Sequence, residues 1–363
     1  MKQVCLVCER TSVDRNLYCQ EIHCPAEKSP TILDNGEWLG DMEIVKPVVV
    51  LRSAVLYEAM RQKQRLFLKV AHPGVEHTDR LQREALFLRT NPHPQLPALL
   101  PPYTYTTLNQ DVYGRIMFQG HLLYFYLFTF VEGEPLRDLL LKNPQLWINH
   151  VGWLAIELAG VVNFLHIKQV YHYGLCPEIL LVRFDAKSSK PRLLLVDLGA
   201  VSQGEKLTIH WQPSFVAPAY TAPELVATQP VRPDHRTDVY GVGLILYELL
   251  VGQPPVRFKL LRSEEVYQAV VTNQRAALDR LADVHRVARI AQQAVSLEPA
   301  GRHPNVAELG EQLSDPTLFL PPPTERTSWL PSLRMILIAV VVLLALAFLI
   351  TFADSFARLW ALF

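Results

Sequence analysis

Cysteine is scarce in this chain of 363 residues, and unevenly placed. Of the five cysteines, Cys5, Cys8, Cys19 and Cys24 crowd into the first 24 positions and Cys176 stands alone. That pattern excludes a disulfide framework spread through a secreted domain. Net charge is lacking too, since 35 basic residues balance 35 acidic ones. No bulk electrostatic pull on nucleic acid is expected. Glycine is missing between Gly40 and Gly74, which excludes a bare-backbone loop pressed against a ligand there. Residues 1–28 hold no run of seven apolar residues, so the opening segment does not read as a signal peptide. No internal repeat stands out.

What is present divides into stretches. Residues 1–28 form a cysteine-rich knuckle candidate, and residues 29–40 a polar linker with a turn signal at Asn35-Gly36. Residues 41–316 mix strand and helix patterns. Residues 48–51 and 66–70 are short apolar runs of strand type. From Leu136 onward helical spacing dominates, as in residues 151–166 and 239–251. Strands first and helices later predict an α+β fold with two lobes. Residues 317–334 are a Pro-rich spacer around Pro321-Pro322-Pro323. Residues 335–353 carry no charge and are almost wholly aliphatic. At 1.5 Å per residue they reach roughly 28 Å, enough to cross a bilayer. Residues 354–363 are a short tail.

Cys5-x-x-Cys8 puts two thiols on one tight turn, and Cys19 and Cys24 complete a candidate tetrahedral zinc set, with His23 able to replace either of the latter. So short a segment needs a metal to fold. Four protein ligands leave no open position, so the expected role is structural. A redox pair or free thiols are the plainer alternatives.

Residues 41–316 resemble the eukaryotic-type serine/threonine protein kinases, through motifs in the family's order. Lys69 in Leu66-Phe67-Leu68-Lys69-Val70 matches the phosphate-binding lysine, and Glu84 its helix partner. Residues 128–136 resemble the inter-lobe hinge whose backbone receives adenine. His172 opens the catalytic-loop match, and Asp197-Leu198-Gly199 matches the metal-binding Asp-Phe-Gly. Ala222-Pro223-Glu224, Asp238 and Arg302 match the scaffold positions of the helical lobe. The resemblance implies a two-lobed fold and a site for ATP with magnesium.

The catalytic loop departs from that pattern. It reads His172-Tyr173-Gly174-Leu175-Cys176-Pro177-Glu178-Ile179. The family places aspartate at Gly174, lysine at Cys176, a metal-binding asparagine at Ile179 and arginine at Tyr173. The glycine-rich loop is replaced by residues 48–57, which contain no glycine. The expectation is a degenerate, pseudokinase-like binding or scaffolding module without catalysis. Lys69, Glu84 and Asp197 could then hold a residual nucleotide with one magnesium, or merely brace the fold. The alternative is an active transferase, either a weak kinase or other ATP-dependent chemistry, with Glu178 or Asp185 as a base. The expected setting is a single-pass membrane protein with its domain in the cytoplasm. Its expected partners are the lipid bilayer and unidentified proteins, not nucleic acid. Arg326 and Arg334 before the helix, against Arg358 after it, give that orientation.

Overall fold

The computed structural model describes residues 2–6, 11–12, 24, 30–184, 190–202, 211–227, 232–258, 261–278, 285–315, 318, 341–344 and 346. The chain divides into a unit Met1–Leu320 and a unit Pro321–Phe363.

The first unit begins with a small antiparallel sheet of β1 (Lys2–Val4), β2 (Thr11–Ser12) and β3 (Thr31–Ile32), in the order β2-β1-β3. A seven-stranded antiparallel sheet follows. It comprises β4 (Trp38–Leu39), β5 (Met42–Val50), β6 (Ala54–Arg61), β7 (Gln64–Ala71), β8 (Leu99–Leu100), β9 (Gly114–Phe118) and β10 (His121–Thr129). Helix α1 (Val75–Thr90) crosses between β7 and β8. β7 shows why this sheet is central. Leu66, Leu68 and Val70 pack in one core with Ile32, Leu33, Tyr57 and Leu127. Phe67 and Ala71 share the other core with Leu81, Ala85 and Leu88 of α1. That alternation is the two-residue period of a strand buried on both faces.

Residues 30–40, within the stretch 29–40 expected as a linker, are instead built into the fold. Ile32, Leu33 and Leu39 are buried, and the Leu33 amide donates to the Tyr57 hydroxyl at 2.9 Å. Each such side chain stabilises the fold by about 1.5–3 kcal/mol over exposure, too much for a free tether. Three scattered apolar residues among polar ones gave no periodic signal.

The helical half holds β11 (Glu134–Pro135), α2 (Leu136–Lys142), α3 (Ile148–Ile167), β12 (Leu180–Arg183), β13 (Arg192–Leu195), α4 (Pro223–Val226), α5 (His235–Val251), α6 (Ser263–Val271), α7 (His285–Ala294) and α8 (Val306–Leu313). α5 runs through its centre, buried at every position from Thr237 to Leu250. The Asp234 side chain caps it by accepting from the Arg236 amide at 2.8 Å. It stops at Gly252, whose φ is +79° and where a Cβ would lie 2.6 Å from the Pro144 carbonyl oxygen.

Among the described residues one helix, α3, is long and apolar enough to cross a membrane. Its buried Val151, Leu154, Leu158 and Val162 belong to the helical core. The span expected at residues 335–353 lies mostly outside the described residues. Within it, residues 341–344 and 346 are helical, with exposed side chains.

Candidate functional site

β7 and α1 bring Lys69 and Glu84 together at the inner end of the cleft between sheet and helices. Both are buried, and the Lys69 Nζ donates to Glu84 Oε1 and Oε2 at 2.9 and 2.7 Å and to the Val196 carbonyl at 3.1 Å. The Leu198 amide also donates to Glu84, at 3.0 Å. Burial pushes the Glu84 carboxyl up, against the pull of Lys69. Asp197 follows β13 and lies 3.3 Å from Lys69. The structure thus brings the three residues Lys69, Glu84 and Asp197 into one cluster.

A fourth member was not foreseen. Arg80, buried on α1, donates from Nη2 to Asp197 Oδ1 at 2.9 Å. The Gly199 amide donates to the same oxygen at 2.7 Å. Burial opposes charge on Asp197, yet Arg80 and Lys69 hold its carboxyl far below the usual range. Both carboxylate oxygens therefore already face cations or donors. Arg80 stands one turn before Glu84 on the same helix face, which was the signal available in the sequence.

Phe67 is a second addition. It lies two residues before Lys69, hence on the same face of β7. It is buried, with its ring 5.1 Å from that of Phe128 and 4.9 Å from that of Phe130. Across the sheet Phe67 pairs with Phe128 and Lys69 with Tyr126. Aromatic side chains thus pack between the strand of Lys69 and the hinge.

The catalytic-loop segment is held from below. Asp238 of α5 accepts from the His172 and Tyr173 amides at 2.8 and 2.7 Å, and contacts His166 Nε2 at 2.9 Å. His172 is fully buried, and that burial lowers its pKa. Neutral His172 donates from Nε2 to the Asp197 carbonyl at 2.8 Å and accepts at Nδ1 from the Gly174 amide at 3.2 Å. Gly174 carries no functional group, and a Cβ there would sit 3.2 Å from Val216 Cγ2. Cys176 is buried, and burial raises its thiol pKa well above the ordinary value. Ile179 is buried in the apolar core. Glu178 accepts from Arg137 at 2.8 Å, and Arg137 also binds Glu248 and Tyr220. Asp185 lies outside the described residues. Farther down, Arg302 grips Glu224 with two hydrogen bonds of 2.7 Å, and Thr237 adds a third.

β5 and β6 meet in a tight turn at residues 51–53, closed by the Leu51 amide to the Ala54 carbonyl at 2.8 Å. Val48, Val49, Arg52 and Ser53 line a cleft cavity of about 270 Å³. Val4, Cys5 and Leu6 from the N-terminal strand and its turn line it too. Cys5 Sγ lies 3.6 Å from Cys24 Sγ. Among the described residues no three His, Cys, Asp or Glu side chains gather into a metal site, and Cys8, Cys19 and His23 lie outside them. A magnesium site on Asp197 is not matched by its surroundings, because Arg80, Lys69 and Gly199 hold its oxygens and Ile179 offers no ligand.

The profile of the protein kinase domain matches residues 60–300. This chain belongs to the protein kinase family. Mouse death-associated protein kinase 2 is 26% identical over 231 residues, covering 63% of this chain and 57% of that protein. A probable serine/threonine-protein kinase of Clostridium acetobutylicum is 28% identical over 132 residues, covering 36% of this chain and 19% of that one. The chain thus spans less than two thirds of these relatives' length. The crystal structure of the Mycobacterium tuberculosis PknI kinase domain overlays with a TM-score of 0.51 at 19% identity, over 78% of this chain and 98% of that one. At that identity it shows the kinase fold and no more. The family is one of enzymes that use ATP and magnesium.

Proposed function

We propose that this chain is a membrane-tethered pseudokinase, a kinase-shaped binding module that does not transfer phosphoryl groups. The contact of Arg80 with Asp197 carries the reading. It sets a fixed guanidinium against the carboxylate that would otherwise hold the catalytic metal. Gly174 offers no carboxylate to orient a hydroxyl, and Cys176 is a neutral thiol where an ammonium would offset developing charge. Buried Phe67 and Phe128 pack with half-buried Phe130 beside the segment that resembles the hinge, and this packing supports a cleft without room for adenine there.

The N-terminal knuckle is read as a structural zinc site on Cys5, Cys8, Cys19 and Cys24. Two sulfurs on one tetrahedral zinc stand about 3.8 Å apart, and the Cys5 to Cys24 separation of 3.6 Å supports that reading. Residues 335–353 are read as a single span with the kinase-like domain on the cytoplasmic side, where thiolates stay reduced. The retained Lys69–Glu84 pair favours a second reading, a transferase of low activity.

The deciding experiment is label transfer from γ-labelled ATP, using the full chain in detergent beside Asp197→Asn. Incorporation no greater than in that control supports a pseudokinase. Robust incorporation that disappears in the control overturns it in favour of the transferase.

A further inference from the structure

The Lys69, Glu84, Asp197 and Arg80 cluster balances two cations against two carboxylates, but it does not exhaust Arg80. Its Nη2 is committed to Asp197, while Nε and Nη1 are buried with no hydrogen-bond partner among the described residues. A guanidinium carries five donors and stays charged at any physiological pH. Leaving buried donors unmet is costly, so this arrangement is one a ligand would complete. Arg80 lines the cleft cavity, and so does Arg52 at the turn between β5 and β6. Arg52 is half-buried and makes no ion pair with any described carboxylate. Burial lowers its pKa, with Tyr267, Cys176 and Glu178 pulling the other way.

The remaining charges on the cavity wall are Arg137, Asp138, Glu178 and Asp197, the last already met by Arg80 and Lys69. Arg137 is spent on Glu178 and Glu248. Two guanidiniums from opposite walls, one on α1 and one on the hairpin above, thus face a single space. Guanidiniums recognise the tetrahedral oxygens of phosphate better than any other side chain. No metal is needed for this, because Arg80 already supplies a fixed positive charge beside Asp197.

The geometry points to a cation-independent anion site, in which Arg80 and Arg52 together hold one phosphate group, free or carried by a small molecule. This deepens the reading of the cleft as a binding module and rests on it. The aromatic packing around Phe67 disfavours an adenine on the carrier. With the Asp197 carboxylate already met by Arg80 and Lys69, an anion can be held where a kinase would use magnesium.

The test is calorimetric titration of the full chain in detergent with inorganic phosphate, pyrophosphate and ATP, each in chelator and in excess magnesium. Pyrophosphate should bind in chelator, with affinity changed less than about twofold by magnesium. Arg52→Gln and Arg80→Gln should each weaken binding about tenfold or more, the loss typical of one charged hydrogen-bond donor. Arg80→Lys should recover part of it. Arg52 lies at a hairpin turn, so Arg52→Gln carries the test even where Arg80→Gln fails to fold. ATP binding more tightly than pyrophosphate would assign the phosphate to a nucleotide, and equal or weaker binding to a free anion. Both results support the site. No binding, binding that requires magnesium, or binding unchanged in both Gln variants would overturn it. Label transfer in the earlier assay would sink the pseudokinase reading whatever the titration shows. A blank titration without label transfer would sink only the anion site.

Discussion

Gly199 sits at φ +64°, and a Cβ there would lie 2.1 Å from the His172 carbonyl oxygen. Backbone does not yield to such a contact, so Gly199→Ala should cost about 3 kcal/mol or more and lower the melting temperature by about 10 °C. A melt within about 2 °C of wild type would show that the turn is not fixed. Cys176, held as a buried thiol, should resist alkylation in the folded protein and react only on unfolding. Mass spectrometry of briefly alkylated protein reads this directly. His72 is buried with Nε2 donating to the Leu51 carbonyl at 2.8 Å, and burial lowers its pKa to about 4. Its ordinary value is 6.5, so between about pH 6.5 and 4 the unfolded chain binds a proton that the folded chain refuses. The stability linked to His72 is therefore complete above pH 6.5 and declines toward pH 4, by about 2 kcal/mol at pH 5. Buried His172 acts in the same direction. Urea melts at pH 7 and 5 should show this fall, and a smaller one in His72→Gln.

At the scale of elements, β7 and α1 decide what the cleft can do. Phe67→Ala removes a ring packed against Phe128 and Phe130, so a loss of about 3–5 kcal/mol is expected. The variant should gain a thermal shift with adenosine that wild type lacks. Equal shifts in both would mean that the rings do not occupy the adenine position. The main strands and long helices of the domain were legible in the sequence, because period-two and period-3.6 patterns are local. Lys69, Glu84 and Asp197 were legible through their motifs. Arg80 was not, because its partner Asp197 lies 117 residues away and only folding brings them together. Phe67 was hidden in a motif whose lysine drew attention to itself. The β3 and β4 strands were missed because two-residue strands have no period to detect.

On the proposed pseudokinase reading, the molecule joins a kinase scaffold to a cleft in which several catalytic parts are replaced at once. Asp238, Glu224 and Arg302 hold the helical half together through buried hydrogen bonds, whereas Gly174, Cys176 and Ile179 bring none of the expected chemistry. If residues 335–353 span a membrane with the domain inside, protease added outside intact cells should leave the domain whole, and digestion would reverse the orientation. The absent groups all act on one transition state, and loss of a general base alone costs about 10²–10⁴-fold. On that reading, returning the base alone does not restore the reaction. The direct measurement is the turnover of Gly174→Asp with γ-labelled ATP. Val216 needs to give by only a few tenths of an ångström to admit the added Cβ. Label transfer is expected to stay at the background of the unmodified chain. Turnover approaching the roughly 1 per second at the low end for protein kinases would contradict the account, since one missing carboxylate would then be the whole defect.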